Sequence, residues 1–389
     1  MPAMLPFAIA SMVPGLCLVA ACLWGGPWGW GAILSITGVV FFLDKVQLRP
    51  VATQVDGHRL SEMLGVAHFA LLGLTLWAMG GALPLQDKAL IVVAAGLYFG
   101  QISNSNAHEL IHRSDRWAFR LGAACYASLL FGHHTSAHRL VHHVHAATPK
   151  DPASARRGEG FWAYLPRAWS GGFRAGLRAE RQRHGGAAWP APYRLYTLGA
   201  GVSIVVAWSL AGASGVFGLL LVSAYAQIQL LLSDYVQHYG LVRRQLADGR
   251  AEPMGYAHSW NAPHWYSGAM MLNAPRHSAH HAKPATAFPQ LALDASSMPM
   301  LPYSLPVMAV IAVVPPLWRK VMDPQVDRWM SPTARDPNDI ARVAAQKLGV
   351  GGITPPVLPD WPHDTDLPKP YPEPDGPARS RRVDERRRI

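Results

Sequence analysis

Histidine is the residue type with the most chemistry to offer in this chain: there are 18, and nine of them fall into tight groups. His108-Glu109-Leu110-Ile111-His112 sets two imidazoles four residues apart, which places both on one helical face. His138-Arg139-Leu140-Val141-His142-His143 repeats that spacing and adds an adjacent ring. His238 closes the segment that starts at Asp234, and His277, His280 and His281 complete the set. Imidazole is a strong ligand for iron, copper, nickel and zinc. Nine are too many for one ion, since a tetrahedral zinc takes four ligands, whereas two ions of four or five nitrogens each use all nine. A dinuclear metal site follows. The three cysteines, Cys17, Cys22 and Cys125, lie in apolar surroundings and are too few for a four-thiolate site, so any redox partner must be a separate protein.

The other histidines read more plainly. His58, His68, His184 and His363 are expected to be exposed or structural, and His133, His134 and His145 to be ordinary interfacial residues. His258 and His264 fit either an interfacial role or the orienting of metal ligands. A rival from another enzyme class is the HExxH zinc-protease pattern at 108–112, with Glu109 as general base. It accounts for two histidines and one further ligand, and leaves at least six unexplained.

The elements that must position these rings are membrane helices. Hydrophobic residues make up 50% of the 389-residue chain and charged ones 15%, against about 25% charged in soluble proteins. From Met1 to Leu43 there is no charged side chain, and a ~30 Å hydrocarbon core needs about 20 residues per helix, so this run holds two spans. Gly25-Gly26-Pro27 turns between them, beside the interfacial Trp28 and Trp30. Uncharged runs at 63–86, 89–108 and 195–233 complete six spans in three hairpins, at about 5–24, 28–43, 63–84, 89–108, 195–211 and 215–234. The opening run lacks a basic leader and is expected to stay attached. The stretch 295–318 is also uncharged, but five prolines interrupt it, so it reads as interfacial or re-entrant.

The fold expected is an all-α integral membrane protein with a histidine-rich helical cap over the dinuclear site. Thirteen lysines and arginines lie between Glu109 and Arg194, while the turns on the opposite side carry almost none. The positive-inside rule places that segment, the cap and both termini in the cytoplasm, with the chain in an inner, cytoplasmic-type membrane. The same rule explains the net charge of +11 without nucleic acid. Residues 1–349 form the membrane-embedded domain, and the Pro- and Arg-rich segment 350–389 reads as a disordered tail whose arginines can touch anionic lipid.

These motifs resemble those of the integral-membrane alkane 1-monooxygenases, within the membrane fatty-acid desaturase and hydroxylase superfamily. The resemblance rests on HELIHR at 108–113, HRLVHHVHAATPKDPASAR at 138–156, DYVQHYGL at 234–241, HSWN at 258–261 and RHSAHHAKP at 276–284. It implies two non-haem irons held by His108, His112, His138, His142, His143, His238, His277, His280 and His281, with O2 as cosubstrate. It further implies electrons from a rubredoxin or ferredoxin with its reductase, and hydroxylation at the end of an alkane or similar alkyl chain drawn from the bilayer. The histidines alone fit a desaturase equally well; the DYVQHYGL and ATPKDPAS runs favour the hydroxylase. The chain departs from the family pattern at Ala137, Asp234, Gln237 and Ala279, which stand where glutamate, asparagine, glutamate and aspartate are usual. Asp151 is an acid near the second histidine group, with turn capping as its plainer role. Gly65, Gly73, Gly96 and Gly100 either leave room for a chain or serve close packing. The arginines from Arg156 to Arg183 either attract an acidic electron carrier or simply set topology.

Overall fold

The computed structural model describes residues 2–46 and 53–331, and among these it is helical, with two isolated bridges and no strand. Its helices are α1 (Leu5–Trp24), α2 (Pro27–Ile36), α3 (Gly38–Leu43), α4 (His58–Gly80), α5 (Leu85–Leu97), α6 (Asn104–Ile111), α7 (Arg116–Ser128), α8 (Phe161–Arg183), α9 (Ala191–His238), α10 (His277–Ala282), α11 (Leu305–Ala312) and α12 (Pro315–Met330). Three of them, α1, α4 and α9, are long and apolar enough to cross a membrane. The segment 350–389 lies outside the described residues, as does His363.

Local sequence explains where these helices start, stop and bend. Proline occupies the first turn of α1, α2, α11 and α12, where its missing N–H costs nothing. The proline-punctuated stretch 295–318 is therefore irregular up to Ser304 and then starts two helices. Asp115 caps α7 by accepting the Ala118 N–H at 2.7 Å. The helix over the third uncharged run starts five residues early, at His58, and ends at Gly80. At Ala211 and Gly212 the backbone leaves helical angles, and Gly212 has φ of 56°, so α9 consists of two arms divided where the sequence breaks.

The second arm of α9 runs beside α5 and α6, and small residues set how close they come. Any Cβ on Gly96 would overlap the Tyr225 ring, and one on Gly100 would lie 2.6 Å from the Gln229 Cβ. The Asn104 amide donates to the Ala226 carbonyl at 3.0 Å, which fixes the same two helices in register. Gly65 packs on Leu121 and Leu110, while Gly73 faces nothing within 4 Å. Close packing is thus the role of Gly65 and Gly96, and Gly100 adds to it a place on a cavity wall. The fully buried His68 ties α4 to its neighbours through Ser103 and Ser128, at 2.5 and 2.7 Å.

Candidate metal centre

All nine histidines converge at the end of this bundle, in two groups. His108, His112, His138, His143 and His280 form one, and His142, His238, His277 and His281 the other; within each group one ring nitrogen per residue lies within 4.8 Å of all the rest. Neighbouring Nε2 atoms are 3.0 Å apart for His112 and His138, 3.0 Å for His138 and His143, and 3.1 Å for His143 and His280. In the second group the steps are 3.2, 3.1 and 3.0 Å, from His142 through His281 and His277 to His238. A neutral imidazole carries one N–H, which cannot serve two facing nitrogens at once. Nitrogens bound at about 2.1 Å to one ion fall roughly 3 Å apart when adjacent, so the donor set fits a metal in each group.

The assignment of rings to groups depends on a change of helical winding. At about 100° per residue an α-helix would put His138 and His142 on one face and turn His143 away. Residues 138–142 instead form a π-helical turn, advancing about 80° per residue, so His142 and His143 flank His138 on opposite sides. His143 accordingly joins His138, and His142 faces the other group. In the α-helical His277–Ala282 the ordinary spacing holds: His277 and His281 share a face, and His280 reaches across to the first group. A second π turn, Tyr98–Ser103, lies two turns ahead of His108. Non-glycine residues with positive φ stand beside the histidine segments: Leu130 (58°), Ala147 (58°), Leu272 (49°) and Asn273 (56°). Such strain collects where a site dictates the path of the chain.

Outer contacts hold the rings. Asp151 accepts from His142 Nδ1 at 2.8 Å, from the Ser154 hydroxyl at 2.7 Å and from the Ala153 N–H at 3.0 Å, so it caps its turn and also orients a ring. With Nδ1 donating, the His142 Nε2 lone pair is left facing its group. Burial lowers the His142 pKa, but the Asp151 charge more than reverses this and leaves it above the ordinary value; Asp151, buried too, is held below its own by His142. His112, His138, His143, His277, His280 and His281 are held well below the ordinary histidine range, first by burial and then by neighbouring rings. They are therefore neutral and ready to coordinate.

The other conserved-looking boxes of the sequence act as struts. Asn261 of HSWN accepts the Ser278 N–H at 2.9 Å and donates to its hydroxyl at 2.7 Å, which anchors α10. Trp260 binds back to the DYVQHYGL segment through the carbonyls of Gln237 and Tyr239. Tyr239 donates to Asp323 at 2.6 Å, and Tyr235 to the Glu159 carbonyl at 2.6 Å. Glu109 is engaged by Arg113 at 2.7 Å and by the Phe288 N–H, in place of the general-base role of a protease. His258 bonds Glu252 and Gly255, His184 bonds Glu180, and His58, His133, His145 and His264 also lie outside both groups. His134 lies outside them as well, but its ring stacks on Phe131 and its centroid is 5.2 Å from that of His138.

A cavity of about 940 Å³ leads to the first group. Ile36, Val40 and Phe41 from α2 and α3, Val93 and Leu97 from α5, and Val307 and Val310 from α11 line its far part; His108, His138 and His277 border its inner end, together with His134. A second, water-sized cavity of about 30 Å³ lies beside His134, His138, His142 and Asp151.

The fatty acid desaturase family model matches residues 88–310, which include every histidine of both groups, and the chain belongs to that family. Alkane 1-monooxygenases 1 and 2 of Pseudomonas aeruginosa are 29% and 30% identical to it, each over 77% of this chain and over 83% and 84% of their own lengths. The alkane 1-monooxygenase of Pseudomonas putida is 32% identical, over 67% of this chain and 66% of its own length. Within the family the chain is thus a membrane-bound oxidoreductase of the alkane 1-monooxygenase type, which sets the zinc-protease reading aside.

Proposed function

We propose that this protein is a di-iron monooxygenase that hydroxylates the terminal carbon of alkanes or similar alkyl chains, using O2 and electrons from a rubredoxin or ferredoxin with its reductase. The observation that carries this reading is the meeting of two all-nitrogen donor groups with the inner end of a long, mostly apolar cavity. All nine histidines serve as iron ligands, five to one ion and four to the other. Iron bound there supplies the activation of O2 and the cleavage of the C–H bond.

The remaining work falls to the protein. The apolar far wall takes the chain out of the bilayer lengthwise and excludes water, and from Val93 to His108 that wall spans about 22 Å at 1.5 Å per residue. Asp151 keeps His142 in its coordinating tautomer. Arg156, Arg157, Arg174, Arg178, Arg181 and Arg183 are exposed and suit an acidic electron carrier. In this reading 1–349 is the catalytic domain, with six crossings of an inner membrane and both termini in the cytoplasm.

The test is product analysis with purified protein, rubredoxin, reductase and decane under ¹⁸O2. Labelled 1-decanol is expected. An unsaturated product without primary alcohol would overturn the hydroxylase in favour of a desaturase, and label supplied from water would overturn the monooxygenase.

A further inference from the structure

The large cavity changes character at one depth on both of its helical walls. Going inward, the α5–α6 wall passes from Val93 and Leu97 to Gln101, while on α9 Ile228 gives way to Gln229, Ser233 and Asp234. The two changes coincide, because Gly100 abuts Gln229. Gln101 precedes His108 by seven residues, so roughly the last 10 Å before the histidines is bordered by polar groups. Several of these lack partners. Gln101 Oε1 is buried without a hydrogen bond, and no described residue donates one to the Asp234 carboxylate, although that residue is only 7% exposed. Asp234 also borders the water-sized cavity, so its carboxylate lies between two open spaces. A pure hydrocarbon would leave these groups unpaired, at a cost in binding. A hydroxyl, one donor and two acceptor positions on a small atom, would pair them.

We propose that the inner part of the cavity is a hydroxyl-binding subsite, through which the enzyme takes up primary alcohols polar end first and oxidises C1 a second time. This rests on the monooxygenase reading above. The alcohol O–H donates to Asp234, the Gln101 and Gln229 amides complete its surroundings, and the alkyl tail trails along the apolar wall. In balance, RCH2OH + O2 + 2 e⁻ + 2 H⁺ gives RCH(OH)2 + H2O: one C1–H bond is replaced by C1–OH, O2 is reduced, and the same carrier protein supplies both electrons. The hydrate then loses water to give the aldehyde. Asp234 stands where the family usually has asparagine, which makes the carboxylate a feature of this chain.

The experiment offers decane and 1-decanol, singly and in competition, to the holoenzyme with carrier and reductase, with products read by mass spectrometry. Decanal from 1-decanol is expected, at a KM below that for decane. Asp234→Leu should lower kcat/KM for 1-decanol relative to decane about tenfold or more, the effect of losing one hydrogen bond to a charged group. Gln101→Leu should move the ratio in the same direction, and it and the wild-type competition decide the matter if Asp234→Leu does not fold. Decane turnover without decanal, formation of 1,10-decanediol alone, or an unchanged ratio in the folded variants would overturn the proposal and leave the monooxygenase reading standing. Failure to turn over decane itself would remove both.

Discussion

Replacing Asp151 by asparagine tests how the second histidine group is held. The side chain keeps its shape, and its carbonyl oxygen can still accept the Ala153 N–H that now lies 3.0 Å from Oδ1. What changes is the atom opposite His142 Nδ1, 2.8 Å away, where an acceptor becomes an NH2 donor. His142 must then turn Nδ1 into an acceptor and carry its hydrogen on Nε2, the nitrogen that faces His281 at 3.2 Å. Loss of such an outer partner typically lowers metal affinity or activity 10- to 100-fold. At 1.36 kcal/mol per tenfold, that is about 1.4–2.7 kcal/mol. The effect should fall on one ion, because His142 belongs to the four-histidine group alone. A chelator titration of iron-loaded protein should show two equal classes in the wild type and a selectively weakened class in Asp151→Asn. Ser154→Ala removes a bond to the same carboxylate without touching His142, and should release iron as the wild type does. Parallel loss of both irons in Asp151→Asn, or unaltered retention of both, would refute the reasoning.

Val93→Trp, placed on the far wall of the large cavity, should shorten the longest alkane accepted and spare short ones; chain-length profiling checks this. If the exposed arginines between 156 and 183 receive an acidic carrier, kcat/KM for that carrier should fall steeply as ionic strength rises, while the KM for alkane stays constant. Reporter fusions after Gly249 and at the C-terminus should both give a cytoplasmic signal, and a periplasmic signal from either would end the six-span model.

Much of this organisation is written in local sequence, and some of it is not. The breaks at Gly25-Gly26-Pro27 and at Ala211-Gly212 are legible because glycine and proline punctuate the chain by their own backbone limits. The nine histidines are legible as a set because they cluster, and the helical period brings His277 and His281 together. Their division into five and four is not, since it turns on the π winding at His138–His142, a tertiary compromise that leaves no periodic mark. His134 read as ordinary for a related reason: only the approach of Phe131 and His138 brings it to the cavity wall. The double duty of Asp151 was visible only by half, because turn capping is local and its bond to His142 spans nine residues. The split start of the last helices was masked by prolines that break a helix interior but begin one well.

The central claim is that nine histidines hold two irons, and the most direct measurement is elemental analysis of the purified chain by inductively coupled plasma mass spectrometry, set against protein concentration. The account predicts two irons per chain, falling to one when His238, a member of the four-histidine group only, is changed to alanine. One zinc per chain with no iron would contradict it.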